Sequence, residues 1–396
     1  MPVYSHSQLG TYEQCPLKYK LNYRDKIKRD TKGVEAYLGT IVHDTLQKCY
    51  DDAKQAKTDT LEDLFDFYSQ HWQKNWNDSI LIVRKEYTAD DYFNRGKQML
   101  TGYYNRYAPF DSDITIETEM FTTFEVGESK HKLRGFIDRL SRKGDIYQIH
   151  DYKTSSHLPS QAEADADRQL AMYQIGIRQK WPHIKNVELI WHYLAFDEDL
   201  ISVRSEDSIS NLRSDLVELI EQVENAVDFP PKESALCNWC EYPDLCPLRK
   251  HFHMVEPLPP EQFLSETGVS LVNKYAGLKE KESEIKREIE EIKESILSYV
   301  KQEGVEVVKG SDRKIKVKFN HKLKLPGKND PGRADLDKII QENGMWNEVS
   351  QLDISSLSKA LQGRALDETL KNRIIELGTT EESSTIYLSK LKEQEK

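Results

Sequence analysis

The sequence predicts an α/β fold, a small mixed central sheet flanked by helices, followed by a C-terminal α+β extension. Three observations carry that expectation. Residues 114–126, 131–141 and 146–153 show strand-like alternation or β-branched content, broken by the turn signals GESK and RKGD. Helical periodicity lies on both sides of this block, over 34–55 and 60–108 before it and over 161–180 and 208–227 after it. Beyond residue 255 the composition shifts across EPLPPEQ, where a boundary is expected.

Taken in order, residues 7–29 read as an opening helix and turn. Over 34–55, Leu38, Ile41, Val42, Thr45 and Leu46 form an apolar stripe that carries His43 toward the core. The stretch 60–108 is rich in aromatics, including Phe65, Tyr68, Trp72 and Phe93, whose helical spacing is that of interhelix packing. Strands are expected at 187–196 and 200–204. Pro230 and Pro231 end the helix at 208–227. Three parts follow: a domain over 1–255, a linker and long amphipathic helix over 256–304, and a small α+β extension over 305–396. In the middle part, Leu271, Tyr275, Leu278, Ile285, Ile289, Ile292, Ile296 and Tyr299 make a heptad seam over 271–299 on a helix of about 30 residues. That seam pairs with a partner protein or a second copy, or folds back on its own domain; its shortness favours folding back. A hairpin is expected at 305–325 around GSDR, with Lys314, Lys316 and Lys318 on one face, where they contact phosphates or, more in keeping with an edge, guard it.

Bulk numbers narrow the function classes. At 396 residues, with 38% hydrophobic and 31% charged residues, the chain is a polar globular protein able to bury a sizeable core. It has no span apolar enough for a bilayer and no signal pattern in MPVYSHSQLG, so an intracellular, cytoplasmic location is expected. No G-x-x-x-x-G-K-[ST] motif occurs, so no P-loop motor is present. The net charge of −11 disfavours a uniformly basic nucleic-acid surface. Local basic runs survive it: Lys18, Lys20, Arg24, Lys26, Lys28 and Arg29 near the start, and Arg313 to Lys328 later. Five cysteines, an odd number, argue against a disulfide framework.

Chemistry concentrates in RGFIDRLSRKGDIYQIHDYK, residues 134–153. Asp138 lies on one strand, and Asp151 and Lys153 end the next with their side chains on one face and Tyr152 on the other. Two carboxylates beside an ammonium suit a hard divalent cation and phosphodiester hydrolysis. On this reading Asp138 and Asp151 hold Mg2+ or Mn2+, and Lys153 orients the attacking water, helps deprotonate it and offsets charge. Taken alone, each acid reads more readily as a strand-end salt bridge. Gln169 and Tyr173, four apart, share a helix face that reaches the substrate strand or packs in the core. Glu119, on the preceding strand, reads as an exposed strand glutamate and stays outside the core set.

GFIDR followed by DYKT resembles the core of the PD-(D/E)XK nuclease superfamily, in its RecB/AddB-like branch. The resemblance extends to GTIVH, ending at His43, to QLAMY with Gln169 and Tyr173, and to the cysteines of YEQCPLKYKLNY and CNWCEYPDLCP. It covers roughly residues 5 to 255. It implies a restriction-endonuclease-like sheet, His43 as a further metal ligand, and the Tyr152 carbonyl as another. An imidazole in that set shifts preference somewhat toward Mn2+. It also implies a [4Fe–4S] cluster on Cys15, Cys237, Cys240 and Cys246, the last three spaced C-x2-C-x5-C; zinc, with His251 or His253 as fourth ligand, is the alternative. Cys49 falls outside the pattern and reads as a core residue. The activity implied is a metal-dependent deoxyribonuclease, an exonuclease on single-stranded DNA or free ends, serving DNA repair, recombination, replication or CRISPR-type processing. The competing reading is a DNA-binding scaffold that keeps the nuclease fold and recruits through its C-terminal helix.

Overall fold

The structure, a computed structural model, describes residues 2–319, 326–327, 330–344, 346, 353, 357, 360–361 and 368–375. It divides into two compact units, Met1–Pro259 and Pro260–Lys396. Among the described residues no helix is long and apolar enough to cross a membrane.

The first unit begins with β1 (Val3–Ser5), α1 (His6–Gln14) and α2 (Pro16–Tyr19), the last running into a π turn over Lys20–Arg24. Next come β2 (Lys32–Gly33), α3 (Val34–Lys54), α4 (Leu61–Asn75), β3 (Ile80–Leu81) and α5 (Ala89–Tyr107). The aromatic run at 60–108 is therefore two helices rather than one. Thr60 and Thr88 each start a helix with a reciprocal capping box, to Asp63 and Asp91. Then follow β4 (Ile114–Val126), β5 (His131–Lys143), β6 (Ile146–Lys153), α6 (Gln161–Ala166), α7 (Gln169–Lys180), β7 (Val187–Tyr193), β8 (Glu198–Ser202), α8 (Glu206–Asn225) and α9 (Lys250–Val255). The helix expected over 161–180 is also two. Asp167 takes extended backbone between them, and its Oδ1 accepts from the Gln169 amide at 2.7 Å.

The sheet is mixed, as expected. β4 runs antiparallel along the whole of β5, β5 pairs antiparallel with β6, β6 parallel with β7, and β7 antiparallel with β8. The parallel β6–β7 pair needs a crossover, and α6 and α7 supply it. On its second side β5 is shared. β1 pairs with Lys132–Arg134 and β6 with Arg139–Lys143, so residues 135–138 pair with neither. The sheet is split at that point, and Asp138 stands at the split.

Two hydrophobic clusters sandwich the sheet. One joins Leu133, Ile137, Ile149, Leu189 and Trp191 to Leu170, Ile175 and Ile177 of α7 and to Leu216 and Ile220 of α8. The other joins α3, α4 and α5 through Leu38, Ile41, Leu46, Leu64, Tyr68 and Leu100, and includes Tyr152. Each such fully buried aliphatic side chain contributes about 1.5–3 kcal/mol.

In the second unit α10 (Pro260–Ser265) precedes α11 (Thr267–Glu303), longer than expected at 37 residues. Gly304, at φ +65°, ends it in a left-handed cap. The seam residues Leu271, Leu278, Ile285, Ile289, Ile292 and Tyr299 are exposed. β9 (Val307–Lys309) and β10 (Lys314–Lys316) form the hairpin, with Ile315 exposed as well as the lysines beside it. α12 (Arg333–Glu342) and a helix at Glu368–Ile375 follow among the described residues. Residues 320–325 of the expected hairpin, and Lys322, Lys324 and Lys328 of the basic run, lie outside the described residues.

Candidate active site

α3 crosses the end of β6 closely. A Cβ built on Gly39 would lie 3.2 Å from Thr154 Oγ1. Leu38, Ile41, Val42, Thr45 and Leu46 bury the helix's apolar side, and His43 is held at the sheet split. There His43 Nε2 lies 2.6 Å from the Tyr152 carbonyl oxygen, and Nδ1 lies 3.3 Å from Asp138 Oδ2. A carbonyl only accepts, so Nε2 carries the hydrogen and Nδ1 is the nitrogen turned to Asp138. Asp138 Oδ2 also accepts from the Tyr152 amide at 2.8 Å, which ties the split edge of β5 to β6.

Glu119 completes a cluster. Thr118 pairs with Arg139 and Met120 with Ile137, so Glu119 stands opposite Asp138. Its φ of +46° is a left-handed conformation, costly for a residue with a side chain. His43, Glu119 and Asp138 each offer a ligand atom, and all three atoms lie within 4.8 Å of one another. Among the described residues these form the one set of histidine, cysteine or acid groups with that closeness. Sequence reasoning set Glu119 aside. Counting back across the hairpin from its Gly127–Lys130 turn would have placed it opposite Asp138.

Asp151, Lys153 and Gln169 form a second, contiguous group. Lys153 Nζ is 2.7 Å from Asp151 Oδ2 and donates to Gln169 Oε1 at 2.8 Å, while Gln169 Nε2 donates to Asp151 Oδ1 at 2.7 Å. The three side chains close a ring, and Asp151 is turned into it rather than into the His43 set. Tyr173 follows one turn later on α7 and lies against Gly135. A Cβ there would sit 2.1 Å from Tyr173 Cε1, so only glycine admits the ring. Burial pushes the Tyr173 phenol up to about 12.

The electrostatics favour a cation. Burial first, and then repulsion from Asp151, hold the Asp138 carboxyl well above the usual range. Burial raises Glu119 as well, with Asp44 and Asp151 adding to it against His43. Burial works against the Lys153 ammonium, yet Asp151 and Asp138 outweigh it and raise its pKa. Lys153 is thus kept charged, which suits charge compensation better than proton abstraction.

On the other face of β6 runs a buried network that sequence reasoning missed. Arg139 donates to Asp113 Oδ1 at 2.7 Å and stacks its guanidinium 4.0 Å from the Tyr50 ring centroid. His150 bridges Arg139 and His192, at 3.1 and 2.9 Å, and His192 reaches Asp199 Oδ1 at 2.7 Å. This network anchors the strand that carries Asp151 and Lys153.

Among the cysteines, Cys49 is buried, as expected of a core residue, while Cys15, Cys237, Cys240 and Cys246 are half-buried. The fold brings the Cys15 segment to the Cys237–Cys246 segment. Lys18 pairs with Glu241 at 2.8 Å, and Tyr242 donates to the Ile27 carbonyl at 2.9 Å. The four thiols are not gathered into a ligand set.

The model of the PD-(D/E)XK nuclease superfamily matches residues 3–247. Among solved structures, a "Putative exonuclease" from Eubacterium rectale is 12% identical with a TM-score of 0.38, covering 60% of this chain and 86% of its own. SSO0001 is 17% identical with a TM-score of 0.26, covering 59% of this chain and 95% of its own. No curated protein matches.

Proposed function

The chain belongs to the PD-(D/E)XK nuclease superfamily, and on that premise we propose that it is a divalent-metal-dependent deoxyribonuclease acting as an exonuclease on single-stranded DNA or DNA ends. The observation that supports this most is the meeting of His43, Glu119 and Asp138 within 4.8 Å, beside the Asp151–Lys153–Gln169 ring. The donor set fits Mg2+ or Mn2+, since two hard carboxylates and an imidazole converge where Asp138 is destabilised as an anion without a counter-charge. His43, Glu119 and Asp138 would hold the ion, with Asp151 and the Tyr152 carbonyl in reserve beside them. When bound, such an ion supplies Lewis acidity at the phosphoryl oxygens and an acidified water.

The chain's own groups do the rest. Lys153, held as an ammonium by Asp151, offsets the charge that builds on the phosphate. Gln169 fixes both partners of that pair and so fixes the direction of the amine. The order of His43, Asp138, Asp151, Lys153, Gln169 and Tyr173, with cysteines at both ends, favours the RecB/AddB-like branch.

We assign Cys15, Cys237, Cys240 and Cys246 to a [4Fe–4S] cluster that joins the N-terminal segment to the end of the domain. The Lys18–Glu241 ion pair and the Tyr242–Ile27 hydrogen bond support the pairing of segments. The four thiols are not gathered into a ligand set, so the assignment rests on the order and spacing of the cysteines and on the pairing of their segments.

A time course on single-stranded and duplex DNA labelled at either end, with Mg2+ or Mn2+, tests the activity. The wild type should shorten single strands from an end, and Asp138→Asn and Lys153→Ala should not. No cutting with any divalent metal, or cutting that survives both substitutions, overturns the reading.

A further inference from the structure

The β4–β5 ladder continues past the site as an exposed strip. Phe121 pairs with Phe136, Thr123 with Arg134, and Glu125 with Lys132. All six are exposed, while the alternate residues Thr122, Phe124, Val126, Leu133, Gly135 and Ile137 are buried. Phe136 stands two residues from Asp138, on the same side of β5 and roughly 7 Å along it. Phe121 and Phe136 are 51% and 54% exposed, with ring centroids 5.1 Å apart and planes inclined at 51°. A large aromatic pair left uncovered on a strand is not needed for the core, which the buried residues on the reverse face already fill. Among the described residues neither Arg134 nor Lys132 has an acidic partner within salt-bridge distance.

From the cation set outward, the strip therefore presents carboxylates, then two π faces, then Arg134, and last Lys132 with Glu125 across from it. That sequence of chemistries matches an unpaired nucleic-acid strand laid along it. Bases stack on aromatic faces irrespective of their identity, and phosphates meet the cations beyond. A duplex keeps its bases stacked on one another and has no free face to offer.

We propose that Phe121 and Phe136, with Arg134 and Lys132, form a stacking platform that seats unpaired bases of single-stranded DNA beside the scissile phosphate. This rests on the nuclease reading above. It adds the surface through which the enzyme distinguishes single strands from duplex.

Binding tests it independently of cutting. Fluorescence anisotropy of a labelled oligothymidylate, with the full chain and chelator present, compares the wild type with the Phe121→Leu/Phe136→Leu double variant. Leucine keeps apolar area on the strands and removes the π face. The double variant should bind the single strand at least about tenfold more weakly, the size expected of lost base stacking. Replacing the bases of the oligonucleotide by abasic sites should weaken wild-type binding by a similar factor and the double variant by no more. Phe196→Ala, an exposed phenylalanine off this ladder, should bind as the wild type does. Unchanged single-strand affinity in a folded double variant overturns the platform. So does a change confined to monomer–dimer sedimentation, which would make the pair a self-association contact. Digestion is read separately: aromatic-dependent binding without hydrolysis would remove the nuclease reading and leave the platform standing.

Discussion

Gln169 spans a charged pair: its amide nitrogen donates to Asp151 Oδ1 at 2.7 Å while its amide oxygen accepts from Lys153 Nζ at 2.8 Å. The glutamine amide carries a donor and an acceptor on one planar group, as a carboxylate beside an ammonium requires. Gln169→Ala leaves Asp151 and Lys153 paired only with each other and free to rotate. Turnover should fall by about ten- to a hundredfold, as for other groups that orient a metal-site residue. Steady-state kinetics on a labelled strand checks this, with kcat expected to fall more than KM rises.

Asp138 makes stability depend on pH and on metal together. Its carboxyl keeps its proton more tightly in the fold than in the unfolded chain, because burial and Asp151 penalise the anion. From the ordinary carboxylate range upward the native state thus binds the extra proton, and its stability falls as pH rises through the raised native value. Below that range the contribution is fully present. Melting temperatures of chelator-treated protein should fall with pH more steeply for wild type than for Asp138→Asn, and Mg2+ or Mn2+ should restore the wild type at the alkaline end. Parallel pH profiles for the two proteins would show that Asp138 carries no such shift.

Gly135 has no room for a methyl group. In Gly135→Ala the new carbon would sit 2.1 Å from the Tyr173 ring, so the ring or the strand must move. The expected loss is about 1–3 kcal/mol, read from urea unfolding. Activity should drop further than stability explains, since Tyr173 and Gln169 share one helix turn.

Arg139 is almost wholly buried, and so is the Asp113 carboxylate against it, at side-chain exposures of 1% and 8%. Arg139→Met should cost about 3–5 kcal/mol by leaving that carboxylate without its partner. Adding Asp113→Asn should recover part of the loss in a double-mutant cycle. An additive cycle would mean the pair is not coupled.

The four-cysteine assignment predicts a brown anaerobic preparation containing iron and sulfide. Cys15→Ala should bleach it while leaving the metal-dependent site to be assayed by itself. A colourless protein with one equivalent of zinc, retained in Cys15→Ala, would replace the cluster by a zinc site using His251 or His253.

The strand block was legible because Leu133, Ile137 and Leu140 are buried and the turn residues GESK and RKGD separate the runs. The division of 60–108 was written in Thr60–Asp63 and Thr88–Asp91, but the aromatic period spoke louder than the caps. That His43 would lie against Asp138 came from motif order through the resemblance, since no local pattern relates a helix residue to a strand so far along the chain. Glu119 was within reach of simple register counting. The Arg139, Asp113, His150, His192 and Asp199 network was not, because its members come from separate strands and a loop that meet only in the packed fold. For α11 the heptads specify a helix and an apolar stripe, yet they do not say what covers the stripe.

His43 is carried by the helix of one hydrophobic cluster, whereas Asp138 sits on the sheet that closes the other. An ion gripped by both would act as a rivet between two halves that also meet through the Tyr152 backbone, the stacking of Arg139 on Tyr50 and the Thr118–Asp51 hydrogen bond. Chelation should loosen one half from the other before either unravels, so amide exchange would quicken first along the His43 turn of α3 and at the open edge of β5. The catalytic ion would then double as a fastener, and its departure would leave the halves ajar.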